Sequence, residues 1–313
     1  MVLGATGTIG QATVKALVER GHEVVCFLRK GSKATLPGTT LRFGDVTDPL
    51  SLARDGFRGE RFDVLLSCMA SRTGAPKDAW AIDHQAHVNA LVAARQAGVS
   101  HMVLLSAICV QKPLLAFQKA KLAFEQTLIE SGLTYSIVRP TAFFKSLSGQ
   151  IERVKAGKPL LVFGDGRLTA CKPISDDDLG AFLASCIEDE ALKNRILPIG
   201  GPGPAITPMD QAHMLFDLLG REPRVKRVPV GFLDGIIRVL SAVGTLIPQA
   251  KEKAELARIG RYYATESMLV LDPATGRYDA DATPSTGHDT LRDFYAAVLR
   301  GEKTVERGDH AVF

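Results

Sequence analysis

Short apolar, β-branched runs alternate with longer helical patterns through the first 140 residues. A strand that is covered on both faces reads as a continuous apolar stretch, so the runs predict strands of a parallel sheet. These runs lie at 23–28, 40–43, 63–66, 101–105 and 134–138. The crossover helices are predicted at 9–20, 81–97 and 114–131. The alternation is typical of an α/β domain built from βαβ units.

The pattern loosens after residue 140, and mainly helical stretches follow residue 200. Here we predict a helix at 146–156, strands at 169–174 and 195–199, and helices at 209–219, 231–243 and 289–299. We therefore predict a doubly wound parallel sheet over 1–200, with 141–170 contributing to the substrate cleft. Residues 201–313 are predicted to form a smaller, mainly helical substrate-binding region, because ligands of open α/β sheets lie outside the carboxyl ends of the strands.

Composition excludes several classes of function. The formal charge is +4 over 313 residues without a long basic block, so we expect no nucleic-acid partner. Five scattered cysteines without a C-x-x-C pair indicate neither a disulfide framework nor a zinc site, and we expect no metal. No apolar stretch approaches the ~20 residues that span a bilayer. We expect a cytoplasmic protein that is not inserted in a membrane.

A glycine-rich turn, GATGTIG at 4–10, lies between a strand of at most three residues and an amphipathic helix. In this context Gly4 permits the tight turn, Gly7 lets backbone amides approach a pyrophosphate, and Gly10 lets the helix pack on the sheet. Thr6, Thr8 and Ile9 complete the predicted loop, where the helix amino terminus attracts phosphate. The turn predicts a dinucleotide site of the Rossmann type. A glycine turn without a ligand is the alternative.

The second strand ends in Arg29 and Lys30, where an NAD enzyme carries an acidic residue for the ribose hydroxyls. A guanidinium binds the 2′-phosphate of NADP with charge-assisted hydrogen bonds, so Arg29, assisted by Lys30, predicts NADPH as the cofactor. A solvated cluster of charges on a loop is the alternative for both residues.

Other candidate cofactor residues follow from their positions at the ends of predicted strands. Asp45 and Val46 come after the third strand and are expected to meet the adenine. The stretch after the fourth strand is expected to run beneath the cofactor. The candidates there and at the next two strand ends are Ser67, Cys68, Met69, Ala70, Ser106 and Pro140.

The glycine spacing, Asp45-Val46, Lys121 on a helix and the strand end at 138–141 resemble the short-chain dehydrogenase/reductase superfamily. The resemblance is to its atypical members, the NmrA-like and isoflavone-reductase-like proteins. Ordinary members carry Tyr-x-x-x-Lys, whereas this chain has Phe117 where the tyrosine would stand. The usual proton donor is therefore missing, while Lys121 retains the position that binds the nicotinamide ribose. A plain surface lysine is the alternative.

The carboxy-terminal part resembles a narrower family. RYYATESMLVLDP at 261–273, GRYDADATP at 276–284 and DTLRDFY at 289–295 are similar to the end of the divinyl chlorophyllide 8-vinyl-reductases. The resemblance implies NADPH-dependent reduction of the 8-vinyl group of a divinyl chlorophyllide or protochlorophyllide, a step of chlorophyll and bacteriochlorophyll biosynthesis. A vinyl group conjugated to the macrocycle accepts hydride at its terminal carbon, so no alkoxide needs the missing tyrosine.

The implied substrate is a flat tetrapyrrole with a propionate, which calls for apolar walls and a cation. Candidates for these contacts are Phe143, Phe144, Phe232, Arg139 and Arg261. For the proton we nominate Lys121, Tyr262, Tyr263 or a water, with packing as the alternative role of the tyrosines.

The segment 228–247 could form ordinary core or touch the surface of a photosynthetic membrane. Two other functions also compete: an NmrA-like NADP-sensing regulator and a double-bond or quinone reductase of the same superfamily.

Overall fold

The computed structural model describes residues 1–245 and 247–305, which form two compact units. The first unit contains Met1–Arg72, Pro76–Pro140 and Asp176–Ile199. The second contains Thr73–Ala75, Thr141–Ser175 and the described residues from Gly200 onward. The segment 141–175 therefore belongs with the second unit. Leu246 and residues 306–313 of the predicted carboxy-terminal region lie outside the described part.

A seven-stranded parallel sheet organises the first unit, in the order β3-β2-β1-β4-β5-β6-β8. Its strands are β1 (Val2–Leu3), β2 (Val24–Arg29), β3 (Thr39–Gly44), β4 (Val64–Ser67), β5 (His101–Leu105), β6 (Thr134–Pro140) and β8 (Arg195–Ile199). The order reverses between β1 and β4, and ligands of open α/β sheets bind at such a switch point. The predicted doubly wound parallel sheet is confirmed.

Because parallel crossovers are right-handed as a rule, the reversal of strand order at β1 and β4 places helices on both faces of the sheet. In the first unit they are α1 (Thr8–Glu19), α2 (Pro49–Ser51), α3 (Pro76–Ala79), α4 (His87–Gln96), α5 (Ala116–Glu130) and α8 (Asp176–Glu188). There are also two π-helical turns. Leu52–Phe57 follows α2 directly, and Trp80–Ala86 connects α3 to α4. The second turn occupies the start of the helix predicted at 81–97. Helix α8 packs closely on α1, since a Cβ at Gly180 would lie 2.6 Å from the Ala12 carbonyl carbon.

The core of the first unit lies between the sheet and the helices that follow β3, β4 and β5. Four neighbouring strands each contribute a side chain to this core: Leu3, Leu65, Met102 and Ile137. Phe124 of α5 packs against them. These side chains are fully buried, and each contributes about 1.5–3 kcal/mol by leaving water. The carboxyl ends of the strands are thereby fixed relative to one another.

The second unit has two small sheets and a helical layer. Its strands are β7 (Leu160–Phe163), β9 (Val225–Val228), β10 (Val270–Leu271) and β11 (Tyr278–Asp279). Its helices are α6 (Phe144–Leu147), α7 (Ile151–Lys155), α9 (Pro208–Leu218), α10 (Val230–Val243), α11 (Pro248–Thr265) and α12 (Leu291–Arg300). Tyr295 and Phe216 are completely buried in its core, and the Tyr295 hydroxyl donates to the Leu147 carbonyl at 2.8 Å.

Helices α10 and α11 pack on each other, yet no described residue of α10 is fully buried. Phe232 and Val239 keep 61% and 63% of their surfaces exposed on one face of α10. The ordinary-core interpretation of 228–247 is therefore wrong for α10. Among the described residues, no helix has the length and apolar character needed to cross a bilayer.

Two local predictions were wrong. The helix expected at 146–156 is divided into α6 and α7, and the Ser148 hydroxyl, in the break between them, donates to the Lys145 carbonyl at 2.7 Å. The strand expected at 169–174 forms only single bridges at Cys171 and Ile174. Pro173 between them has no N–H to extend a ladder.

Candidate functional site

The glycine turn follows β1 at the carboxyl edge of the sheet. Gly4 has φ of +73°, and a Cβ there would lie 2.6 Å from the carbonyl carbon of Cys68. A Cβ on Gly10 would lie 2.1 Å from the Gly4 carbonyl oxygen. Both contacts are with backbone, which cannot swing away as a flexible side chain can. The packing of turn, helix and sheet therefore requires glycine at these two positions.

Gly7 differs from its two neighbours in the motif. A Cβ on Gly7 would meet nothing nearer than the Gly4 carbonyl oxygen at 3.6 Å, so the protein itself leaves room for a side chain. Gly7 is the N-cap residue of α1. Because glycine has no side chain, it makes no side-chain capping hydrogen bond to this helix. Thr6, Gly7 and Thr8 are exposed, whereas Ile9 is anchored in the core. The backbone N–H groups at the start of α1 can therefore bind a phosphate, as the dinucleotide site predicted at this turn requires.

Charged residues gather at the ends of β2 and β3. Arg29 and Lys30 are exposed, and Arg29 is in register with Gly44. The next residue, Asp45, accepts hydrogen bonds from the Thr47 hydroxyl and amide, which lower its pKa, and the charges of Lys30 and Arg29 lower it further. Val46 packs against the core of the unit. The end of β2 is thus electropositive and accessible, as binding of a 2′-phosphate would require.

A chain of hydrogen bonds stabilises the end of β4. His87 Nδ1 lies 2.8 Å from the Ile82 carbonyl, which only accepts, so Nδ1 carries the proton. His87 Nε2 then accepts from the Ser67 hydroxyl at 2.9 Å, and Ser67 Oγ accepts from the Met69 amide at 3.3 Å. Burial and the charge of Lys121 lower the pKa of His87 to about 4, so its ring is neutral at pH 7.

Cys68 and Ala70 are the other two candidates after β4. Burial raises the pKa of the Cys68 thiol to about 12, and its Sγ lies 3.8 Å from the Thr13 hydroxyl on α1. The thiol of Cys68 is therefore held in its protonated form, which makes it a poor nucleophile. Ala70 is exposed on the loop that follows.

Lys121 lies on α5, one turn after Phe117. Its Nζ is 3.0 Å from Oδ1 of Asp83, and the two side chains are 11% and 0% exposed. Burial opposes ionisation of Asp83, but the charge of Lys121 and the hydrogen bonds from Ser71 and Lys121 outweigh it and lower the pKa. The plain surface-lysine interpretation is wrong, because Lys121 is held in a nearly buried ion pair.

Arg139 does not supply a free cation for a substrate. Its guanidinium pairs with the carboxylate of Glu125 on α5, and both side chains are largely buried. The Ser106 hydroxyl donates to the same carboxylate. The substrate role predicted for Arg139 is corrected to a structural one, since its charge already neutralises a buried carboxylate. Pro140, which ends β6, is buried beside it.

The substrate candidates of the second unit have different surroundings. Phe144 is 3% exposed and packs on Phe294 in the core, so its predicted role as a pocket wall is corrected. Phe143 is half-buried and Phe232 is exposed. Arg261 pairs with Asp234 across α10 and α11, and both remain partly exposed.

The nominated tyrosines also lie in the second unit, on α11. Tyr262 is buried and Tyr263 half-buried, with their rings edge to face at 5.7 Å. Their geometry is that of a packed aromatic pair. Tyr263 is the more accessible of the two hydroxyl-bearing candidates.

Comparison with known proteins decides the family. The model of an NAD(P)H-binding family matches residues 4–190. A divinyl chlorophyllide a 8-vinyl-reductase of Cucumis sativus, named as chloroplastic, is 52% identical over 100% of this chain and 79% of its own length. The chain belongs to the NAD(P)H-binding family and, within it, to the 8-vinyl-reductases. The Arabidopsis thaliana protein of the same name is 50% identical over 96% of this chain and 76% of its own length.

A solved structure of this fold supports the architecture independently. The NADPH-dependent quinone oxidoreductase of Escherichia coli, complexed with NADPH, superposes with a TM-score of 0.70 at 19% identity. The alignment covers 95% of this chain and 99% of that protein. The predicted Rossmann-type fold is confirmed.

Sequence reasoning missed Asp83 and His87 in this 8-vinyl-reductase. They are four residues apart in a helical pattern with no motif to distinguish them from core positions. The partner of Asp83 is 38 positions away along the chain, on another helix. Only the folded arrangement of α4 and α5 against β4 brings the two charges together.

Proposed function

We propose that this protein uses NADPH to reduce the 8-vinyl group of divinyl chlorophyllide a to an ethyl group. The observation that carries the proposal is the identity of about one half, along the whole chain, with proteins that bear this activity as their name. The NAD(P)H-binding model over residues 4–190 supports the cofactor. The protein is an oxidoreductase of a C=C bond, and its partner is a tetrapyrrole.

The residues of the first unit fit this chemistry. NADPH supplies a hydride, and a proton completes the conversion of vinyl to ethyl. The turn at 4–10 binds the pyrophosphate through backbone amides, and Arg29 binds the 2′-phosphate. Phe117 cannot donate a proton, which suits a substrate without a carbonyl oxygen. Lys121 holds the nicotinamide ribose.

The second unit supplies the tetrapyrrole contacts in this proposal. Phe143 and Phe232 retain exposed ring surface for a flat apolar ligand, and Arg261 offers a partly exposed cation for the propionate. Lys121, Tyr263, Tyr262 and a water remain the proposed proton donors. The variant Y263F tests one of them: loss of turnover with retained pigment binding would identify the hydroxyl as the donor.

The activity is tested by incubating the purified protein with NADPH and divinyl chlorophyllide a and following the blue shift of the Soret band. A shift that depends on NADPH supports the proposal. Binding of NADPH without any shift would contradict it and indicate the NADP-sensing regulator. Oxidation of NADPH by a quinone but not by the pigment would indicate the quinone reductase. Divinyl protochlorophyllide in a parallel reaction determines the preferred oxidation level of the macrocycle.

We also propose peripheral contact of this protein with a photosynthetic membrane through α10. Phe232, Val239 and Val243 lie exposed along this helix, which suits an interface between water and lipid. Sedimentation with vesicles that contain anionic lipid tests the proposal. The wild-type protein is expected to sediment with the vesicles, and the double variant V239S/V243S, which leaves the proposed pigment contact Phe232 in place, to stay in the supernatant. Equal sedimentation of both would refute it. We propose the cytoplasmic side of such a membrane as its location.

A further inference from the structure

Asp83 is a carboxylate with no exposed side-chain surface, placed in the π-helical turn before α4. Its Oδ1 accepts from Lys121 Nζ at 3.0 Å and from the Ser71 amide at 3.1 Å. Its Oδ2 is also buried and has no hydrogen-bond partner among the described residues. The contacts from the Lys121 ammonium and the Ser71 amide therefore fall on one oxygen atom of the carboxylate, and the Ser71 side chain adds a further hydrogen bond to this group.

Stability alone is a poor reason for this arrangement. Burying a carboxylate is costly, and the attraction of a partner offsets that cost only when the remaining lone pairs are satisfied. At Asp83, Oδ2 has no hydrogen-bond partner among the described residues. Apolar side chains of similar volume generally stabilise such a site at least as well. The charge of Asp83 therefore suggests a role beyond packing.

The two partners of Asp83 come from segments that hold predicted cofactor-binding residues. Ser71 lies in the loop between β4 and α3, directly after the candidates Cys68, Met69 and Ala70, and Lys121 is the candidate for the nicotinamide ribose. Asp83 thus joins the loop to α5 at a single atom. Its position on a π-helical turn matters here, because such turns interrupt the regular helix and redirect the side chains on it.

Lys121 is the counterion of Asp83, because the nearby ionisable groups His87, Glu125 and Arg139 do not neutralise this carboxylate. His87, on α4, contacts Phe124 and donates to Ile82, and it is neutral at pH 7. The other buried ion pair on α5, between Glu125 and Arg139, is self-contained. The position of the Lys121 ammonium thus depends on Asp83.

We propose that Asp83 is a positioning residue of this reductase, which fixes the Lys121 ammonium against the loop after β4 so that Lys121 meets the nicotinamide ribose of NADPH in one geometry. The inference rests on the proposed use of NADPH and on the role proposed for Lys121. Asp83 itself touches neither cofactor nor pigment in this account. Misplacing a group by about 1 Å commonly costs up to about 100-fold in rate, which sets the scale of the effect.

The first test compares D83N with E60Q. D83N preserves the size of the side chain but removes its charge. E60Q removes the charge of a different carboxylate, which is 2.6 Å from the buried Arg42 and contacts no proposed site residue. For D83N we expect the NADPH dissociation constant, measured by the fluorescence of bound NADPH, to rise about 10-fold to 100-fold, because one hydrogen bond from the charged Lys121 is no longer formed in the right place. We expect kcat to fall as well, with the pigment KM unchanged. E60Q is expected to keep all three values.

The second test asks whether Asp83 acts through Lys121. K121M should weaken NADPH binding as D83N does, and D83N/K121M should be no worse than K121M alone, since the positioned group is gone. If D83N does not fold, D83E takes its place in this comparison, because it keeps the charge of the pair and moves the carboxylate by one methylene group. Full additivity of the two substitutions would overturn the proposal. So would wild-type NADPH binding and kcat in folded D83N, which would leave Asp83 a purely structural residue.

The binding measurement separates this inference from the proposed activity. It requires only NADPH, so it tests the positioning role even if the wild-type protein leaves the pigment unreduced. In that case the proposed function fails, while a weakened NADPH affinity in D83N that disappears in the K121M background still supports the positioning role. If the wild-type protein binds no NADPH, both proposals are overturned.

Discussion

Replacing Gly7 by alanine separates binding of the cofactor from stability of the fold. The added Cβ has the Gly4 carbonyl oxygen as its nearest neighbour, at 3.6 Å, and the Gly7 backbone (φ −72°, ψ 162°) is open to alanine. Alanine is about 0.5–1 kcal/mol poorer than glycine before a helix, but it restricts the unfolded chain by about 0.4–1 kcal/mol. These terms cancel, so the free energy of unfolding should change by less than about 0.5 kcal/mol.

The NADPH affinity of G7A should nevertheless fall. A methyl group at Gly7 occupies the space through which backbone amides approach the pyrophosphate, and hydrogen bonds to a charged group are each worth about 1.5–3 kcal/mol. Loss of one such bond raises the dissociation constant about 10-fold to 100-fold. Fluorescence titration with NADPH measures the affinity, and urea unfolding measures the stability. Wild-type affinity in G7A would refute the assignment of the turn to the pyrophosphate.

Gly10 and Gly235 provide the matched comparisons. In G10A the Cβ would lie 2.1 Å from the Gly4 carbonyl oxygen, so backbone must move, at a cost of about 1–3 kcal/mol. G10A should therefore lose both stability and affinity. Gly235 lies in α10, and a methyl group added there would meet no described atom within 4 Å beyond its chain neighbours and the backbone of its own helix, so G235A should gain about 0.5–1 kcal/mol and bind NADPH normally.

Three further substitutions test other parts of the account. R29D should raise the NADPH dissociation constant at least about tenfold and spare that for NADH, because it removes a bond to the 2′-phosphate; an unchanged preference would disprove the role of Arg29. R139M should lower the free energy of unfolding by about 3–5 kcal/mol in urea, since it leaves the buried Glu125 unpaired, and a loss below about 1 kcal/mol would contradict this. His87 has its pKa lowered from 6.5 to about 4, so the unfolded chain binds the proton first and stability falls as the pH drops from 6.5 to 4. H87Q should show a shallower decline across that range, and an equally steep one would count against a buried neutral imidazole.

The sheet was predictable because its strands are covered on both faces. β5 at His101–Leu105 and β8 at Arg195–Ile199 have the predicted bounds, and the other predicted strands of the main sheet differ from theirs by one or two residues. Continuous apolar runs between glycine-rich loops give a strong local signal. The glycine turn was predictable for the same reason, since strand, turn and helix are contiguous in the chain.

The second unit was less predictable because its elements depend on distant partners. Leu160–Phe163 pairs with Val225–Val228, and each strand alone is a four-residue segment without clear alternation. Pro248–Thr265 is rich in charged residues, and its apolar side is evident only against α10. The substrate roles predicted for Arg139 and Phe144 were wrong for the same reason. Glu125, the partner of Arg139, and Phe294, which packs on Phe144, lie elsewhere in the chain.

The central claim is hydride transfer from NADPH to a vinyl group, and isotopic labelling tests it most directly. The protein is incubated with divinyl chlorophyllide a and NADPH that carries deuterium at the transferable position of the nicotinamide, and the pigment is analysed by mass spectrometry. The account predicts a product with two added hydrogens, one of them deuterium, located on the new ethyl group. Unchanged pigment, or an ethyl group without the label, would contradict it.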